Sequence, residues 1–266
     1  MPARPARLKI SPMFDGVVVQ TVGEIVDGAR EYARRQVTDV VQRLQSRLPA
    51  RSQVRSARVK LTVATRSSGR CPVLAQANLD IGEALIRAQV AAAFVHEASQ
   101  SLRARLAEQV ARLTNPDQPR PWPTARRAPE PVAVPAGARR IVRHKSYPLA
   151  RTTPDRAALT MDVMDYDCHL FVDAGSGQDS LIYRVGPTGY RLSRMRPLPP
   201  PPASVTPLTI DPRPTPELTA EEAVARLDAT EMPYRFFRDR TSGRGTVLYR
   251  RHDGHYGLIT PTTGGR

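Results

Sequence analysis

Residues 153–192, TPDRAALTMDVMDYDCHLFVDAGSGQDSLIYRVGPTGYRL, return 66 positions later, without a gap, as residues 219–258, TAEEAVARLDATEMPYRFFRDRTSGRGTVLYRRHDGHYGL. Eleven of the 40 positions are identical: Thr153/Thr219, Ala157/Ala223, Asp162/Asp228, Phe171/Phe237, Asp173/Asp239, Ser176/Ser242, Gly177/Gly243, Tyr183/Tyr249, Arg184/Arg250, Tyr190/Tyr256 and Leu192/Leu258. Unrelated segments of ordinary composition would share roughly 2–3. Other positions change within a type, such as Met161/Leu227 and Leu181/Val247. A duplicated small module either binds two copies of a partner or binds its own twin.

Each copy reads as a helix followed by a tight β-meander. Thr153 is placed to N-cap a helix whose first turn holds Pro154, where proline is tolerated. The run from His169 to Val172 turns through Gly175-Ser176-Gly177 into Leu181–Arg184, and Gly186–Gly189 turns into Tyr190–Leu192. The second copy repeats this plan through Phe236-Phe237, Ser242-Gly243, Val247–Arg250 and Asp253-Gly254 to Tyr256. A module of this size has too little core to be secure alone, so it requires a partner surface.

Working outward, proline marks the boundaries. Seven prolines fall within residues 116–138 and nine within 196–217, including Pro199 to Pro202 in a row. Such segments favour extended polyproline linkers. The expected division is a unit over 14–115, a linker over 116–138, the first copy over 139–195, a linker core over 196–205 and the second copy over 206–262.

The leading unit reads β-α-β-β-β-α. Val17–Val19 is a short strand, and residues 24–48 form a helix with an apolar stripe at Ala29, Ala33, Val37, Val40/Val41, Leu44 and Leu48. Three strands of period 2 follow, burying Val59/Leu61/Val63, then Val73/Ala75/Ala77/Leu79, then Ile86/Ala88/Val90. A last helix over about 94–113 carries Phe94, Ala98, Leu102, Leu106 and Val110. The pattern predicts an α+β sandwich, one sheet with two helices on one face and an arginine-dotted polar face opposite, plus the two tandem helix/β-meander domains joined by Pro-rich linkers.

The formal charge of +15 points to a polyanionic partner, most often nucleic acid. It is uneven: residues 1–115 carry 18 Lys and Arg against nine Asp and Glu, whereas residues 196–266 carry 10 against eight. The cations of the leading unit come from several elements and can grip phosphates at several points. Few aromatics accompany them, which suits structured RNA better than single-strand stacking. Only Cys71 and Cys168 are present, so neither a disulfide framework nor a zinc site is expected. With no apolar run approaching roughly 20 residues, no membrane partner is expected and the location reads as cytoplasmic.

Enzyme signatures are missing. There is no Walker loop and no dinucleotide-binding glycine pattern, and no cofactor is expected. Asp162, Asp165 and Asp167 lack the glycine and glutamate of a calcium loop and read as a solvated helix end. His144, His169, His252 and His255 are scattered, and Cys168 beside His169 points to the opposite face of a strand. The sequence offers no catalytic residue and no metal ligand set.

Two segments carry a family likeness. Val247-Leu-Tyr-Arg-Arg-His-Asp-Gly-His-Tyr-Gly-Leu-Ile-Thr-Pro261 resembles the closing signature of the C-terminal domain of long-form ribosome hibernation promoting factors, and Ile141-Val-Arg-His-Lys145 resembles that domain's opening strand. The layout of residues 14–115 is similar to the family's N-terminal domain by pattern. The resemblance implies a non-enzymatic factor whose N-terminal domain occupies the small-subunit decoding channel against 16S rRNA, near small-subunit ribosomal proteins. It carries the rRNA-binding role to Arg34, Arg35, Lys60, Arg66, Arg70, Arg87, Arg103, Arg105 and Arg112. In the family, a single C-terminal domain pairs with that of a second molecule and joins two ribosomes.

This chain departs from that plan by having two such domains, the second opening on Pro207-Leu-Thr-Ile210. The expectation is therefore a monomer whose two C-terminal domains pair within the chain, with Phe171, Tyr183, Phe237 and Tyr249 as candidates for the interface and ordinary core packing as their alternative role, and with idle 70S ribosomes kept single. The rival readings are a disome-forming (100S) factor, a DNA-binding transcription modulator, and a scaffold that binds two copies of a protein partner.

Overall fold

The computed structural model describes residues 16–47, 53–63, 73–82, 84–114, 134–185, 189–198, 206–230 and 232–262. Residues 64–72, where the sequence Ser67-Ser68-Gly69-Arg70 is expected to turn between two strands, residues 186–188 of the expected Gly186–Gly189 turn, and most of both proline-rich linkers lie outside these residues. Among the described residues the chain is α+β, with four α-helices and three sheets.

The N-terminal sheet runs β1 (Val17–Val22), β2 (Ser56–Val63), β3 (Val73–Asp80) and β4 (Leu85–Ala92) in that spatial order. β1 is parallel to β2, and the other pairs are antiparallel. Helices α1 (Asp27–Gln45) and α2 (Val95–Thr114) cover one face. The period-2 apolar set packs beneath them, with Val59, Leu61, Ala75, Ala77, Leu79, Ile86 and Ala88 fully buried. From the helices come Ala33, Val37, Val41, Leu44, Ala98, Leu102 and Leu106. Phe94, expected to head the α2 stripe, is instead 63% exposed. It precedes the helix and supplies its carbonyl to Ala98 N at 2.9 Å, so its side chain is off the helical stripe.

The first repeat holds β5 (Ile141–Tyr147), β6 (Arg151–Thr152), α3 (Pro154–Val163), β7 (Cys168–Asp173), β8 (Asp179–Val185) and β9 (Gly189–Arg194). The second holds β10 (Leu208–Ile210), β11 (Glu217–Leu218), α4 (Ala220–Asp228), β12 (Tyr234–Asp239), β13 (Gly245–Arg250) and β14 (Tyr256–Pro261). The eleven shared residues have structural work in both copies. Thr153 and Thr219 cap α3 and α4 by accepting from backbone N–H groups of the first turn. Ala157, Phe171 and Leu192, like Ala223, Phe237 and Leu258, form the core between helix and sheet. Asp173 and Asp239 each accept a 2.6 Å hydrogen bond from the serine three residues on, Ser176 or Ser242. Gly177 and Gly243 close those turns at φ 69° and 67°, a region that disfavours side chains. Asp162 binds Arg184 at 3.0 Å and the Tyr190 hydroxyl at 2.5 Å, tying the end of α3 to the sheet. Asp228 meets Arg250 and the Tyr256 hydroxyl in the same way. Tyr183 and Tyr249 lie on the opposite face from the helices.

The opening strands are exchanged. β5, which begins the first repeat, pairs in parallel with β14, the last strand of the second, and gives the sheet order β11-β12-β13-β14-β5. β10, which begins the second repeat, pairs in parallel with β9, the last strand of the first, and gives β10-β9-β8-β7-β6. Ile141–Lys145 therefore opens the first repeat in sequence but completes the sheet of the second in space. Each swapped strand caps an edge that would otherwise leave main-chain donors and acceptors open.

Candidate nucleic-acid interface and repeat contact

Strand register sorts the cations of the N-terminal domain into two sets. Arg58 and Lys60 stand on the face of β2 away from the helices, in cross-strand rows with Val18, Asn78 and Arg87, and with Gln20, Gln76 and Gln89. Both are exposed, and no carboxylate among the described residues pairs with either. Arg34, Arg35, Arg103 and Arg105 sit on the helical layer. There Arg34 binds Glu31 at 2.6 Å, and Arg35 lies 6.0 Å over the Tyr32 ring. Arg103 binds Asp39 at 3.1 Å. Arg112 lies on α2 with its side chain outside the described residues, as are Arg66 and Arg70 altogether. The nine expected cations are thus not gathered on one face. Arg58 completes the sheet-face group, and its place beside Lys60 at period 2 was readable from the strand.

Two of the nine, Arg87 and Arg105, hold the first repeat. Asp165, just past α3 and in the left-handed region at φ 52°, accepts from Arg105 Nε at 3.0 Å and Nη2 at 2.5 Å. Its other oxygen accepts from the backbone N–H of Gln89 at 3.1 Å. Arg87 donates to the carbonyl of Met164 at 3.2 Å and lies 5.2 Å over the Tyr166 ring. Burial lowers the Arg87 pKa from its ordinary value, whereas for Arg105 the pairs with Asp165 and Glu108 outweigh burial and raise it. The carboxylates near the end of α3 are therefore not a solvated helix end as expected, because Asp165 is 7% exposed and Asp162 is bound to Arg184 and Tyr190.

The sheet faces away from α3 and α4 meet each other. Leu170, Leu181, Tyr183 and Val247 form a buried cluster, joined by Cys168, Val185, Tyr234, Phe236 and Ile259. Tyr183 and Tyr234 make an edge contact with ring centroids 5.9 Å apart. Tyr249 lies against Gly257 and under the Lys145 ammonium, whose Nζ is 5.3 Å from the ring centroid. Phe171 and Phe237, offered above as pairing residues, instead belong to their own repeats' cores. The reason is parity: neighbouring strand residues point to opposite faces, so Leu170 and Phe236 face the other repeat while Phe171 and Phe237 face the helix.

No cluster of potential metal ligands occurs among the described residues. His169 is packed between Tyr166 and Phe171, and burial pushes its pKa down to about 4. Burial likewise raises the Cys168 thiol, which suits a packing residue rather than a nucleophile. Among the described residues no helix is long and apolar enough to cross a membrane.

Comparison with known proteins agrees with the repeat plan. The family described as sigma 54 modulation/S30EA ribosomal protein C terminus matches twice, at residues 136–192 and 212–258. A Mycobacterium tuberculosis H37Rv protein named dormancy associated translation inhibitor is 43% identical over 217 residues, covering 79% of this chain and 77% of the relative. The chain belongs to the ribosome hibernation factor family. It represents the form with two C-terminal modules, and the family's members are modulation factors rather than enzymes. The protein of the same name from strain CDC 1551 matches equally. Among solved structures, a ribosomal subunit interface protein from Coxiella burnetii aligns with 38% of this chain and 98% of its own at 16% identity and a TM-score of 0.29. The N-terminal domain of Thermus thermophilus protein Y aligns with 36% and 94% at 22% identity and a TM-score of 0.28.

Proposed function

We propose that this protein is a ribosome hibernation factor: it binds idle ribosomes, inhibits translation and stabilises them as single 70S particles. The N-terminal domain occupies the small-subunit decoding channel against 16S rRNA, and the two repeats pair within one chain. The observation that carries the reading is the reciprocal exchange of β5 and β10, which fills a sheet edge of each repeat from inside the chain while the sheet faces of the two repeats bury each other. A tethered partner has a high effective concentration and outcompetes a second molecule.

The exposed pair Arg58 and Lys60 offers cations to phosphate without first breaking an internal ion pair. Arg34, Arg103 and Arg105 each have a carboxylate partner to exchange, and Arg87 and Arg105 must release the first repeat to serve RNA.

Cosedimentation in sucrose gradients tests the proposal. Wild-type protein should travel with 70S particles and leave the disome fraction empty. Reversing both Arg58 and Lys60 to Glu should leave the fold unchanged and weaken ribosome binding, lowering the slope of log affinity against log salt by about 2. Accumulation of the wild type in disomes would refute pairing within the chain. Ribosome binding indifferent to the double reversal would remove the sheet face from the RNA contact.

A further inference from the structure

The 66-residue offset maps Gln178 onto Arg244 and Asp179 onto Gly245. These unlike residues meet where the two repeats touch. The Asp179 carboxylate, 7% exposed, accepts from Arg244 Nε at 2.8 Å and Nη2 at 3.0 Å, and from the backbone N–H of Gly245 at 2.8 Å. A Cβ added to Gly245 would stand 2.7 Å from Asp179 Cβ and 3.0 Å from the Phe236 ring. Equivalent positions thus face each other across the local two-fold relation between the copies, and only one of them can carry a side chain.

The consequences for other pairings follow from charge and volume. Two first repeats brought together would set Asp179 against Asp179, with Gln178 in place of a cation and two side chains competing for one space. Two second repeats would leave Arg244 and the Gly245 N–H without the acceptor. Buried like charges and unmatched donors are both costly, so each wrong pairing is disfavoured while the mixed one is satisfied.

The exchanged strands carry a second, independent asymmetry. Asp211, which follows β10, accepts from the Tyr183 hydroxyl at 3.0 Å and from Ser193 Oγ at 3.1 Å, both in the first repeat's sheet. Its equivalent is Lys145 in β5, which lies over the Tyr249 ring and opposite Ile259 in the second repeat's sheet. Each sheet therefore receives a strand of the charge and hydrogen-bonding type that its own residues match.

We infer that the contact is a recognition code between unlike repeats, in which the first repeat accepts the second and rejects a copy of itself. The inference rests on the reading that the repeats are paired in the working protein. The source of the second repeat is the same chain, by the tether argument, although the code also admits the second repeat of another copy.

Full-length D179R and R244D test this by light scattering after size exclusion and by amide hydrogen exchange. The wild type should keep the mass of one 29.4 kDa chain at every concentration. Each single reversal should speed exchange in β8 and β13 at least tenfold, and the D179R/R244D double reversal should regain most of the protection. An equimolar mixture of the two singles should yield a two-chain species, because the first repeat of each then meets a second repeat of opposite charge. D179N, which retains the side-chain volume, should show a smaller loss of protection and serves if a reversal fails to fold. Unchanged protection in D179R, R244D and D179N, a double reversal no better than either single, or a wild type joined through two first repeats would each overturn the inference. Failure here with wild-type protein still on single 70S particles would sink the code alone. Wild-type disomes with the charge rules intact would sink pairing within one chain, and with it the single-70S reading, and leave the code standing.

Discussion

Leu181→Ala should loosen both repeats together. Leu181 is 1% exposed and packs in the cluster between the sheets with Leu170, Tyr183 and Val247, away from its own helix. Truncating a buried leucine costs about 2–5 kcal/mol, depending on how far the site can collapse. The facing sheets are bound to each other by Asp179 and Arg244 and by the exchanged strands, so they cannot easily close on the void. A cost of about 3 kcal/mol is then expected. Where exchange reports the equilibrium opening of the structure, that corresponds to roughly 150-fold faster exchange. The assay is hydrogen exchange on the full chain, read at α3 in the first repeat and α4 in the second. Because β5 lies in one sheet and belongs in sequence to the other repeat, both helices should accelerate by similar factors. If α3 accelerates while α4 and β14 keep wild-type protection, the repeats are independent folding units and the reasoning is wrong.

Two further perturbations probe packing and protonation. Gly257→Ala should lower stability by about 1–3 kcal/mol in urea titrations, since its Cβ would stand 2.2 Å from Tyr249 Cζ. The Y249A/G257A double variant should lose less than the two single costs added, and simple additivity would show that the ring is not the obstacle. His169 is neutral in the fold, with its pKa pushed from the ordinary 6.5 to about 4. At pH below 6.5 the unfolded chain binds more protons than the folded one, so stability is full above that value and falls as pH drops towards 4. The loss should be at most about 3 kcal/mol. His169→Phe should flatten this part of a pH scan, and an unaltered profile would assign the acid sensitivity to other groups.

The elements were largely legible because each rests on local rules. Ala33, Val37, Val41 and Leu44 recur at helical spacing, and Val73, Ala75, Ala77 and Leu79 alternate, so burial and periodicity coincide. Thr153 followed by Pro154 announced a helix start by cap chemistry. The cationic site was less legible. Net charge locates it in the N-terminal domain, but Arg105 and Lys60 look alike in sequence, and only their neighbours distinguish a residue held by Asp165 from one exposed to solvent. Phe171 drew attention by its size, while the unremarkable Leu170 beside it faces the other repeat.

By itself the sequence determined that a charged α+β domain precedes two copies of one small module, and that each module lacks the core to stand alone. Repetition, period and composition are properties of neighbouring residues, so they survive being read in one dimension. The tertiary structure alone decided that β5 completes the second repeat's sheet and β10 the first's, and that Asp179 meets Arg244 and Gly245 across the contact. A strand's alternation says which of its faces is buried, but an open sheet edge accepts any strand whose main chain can reach it. Which edge it joins depends on the competition between distant segments brought near by the fold, and no local signal in the chain records the outcome.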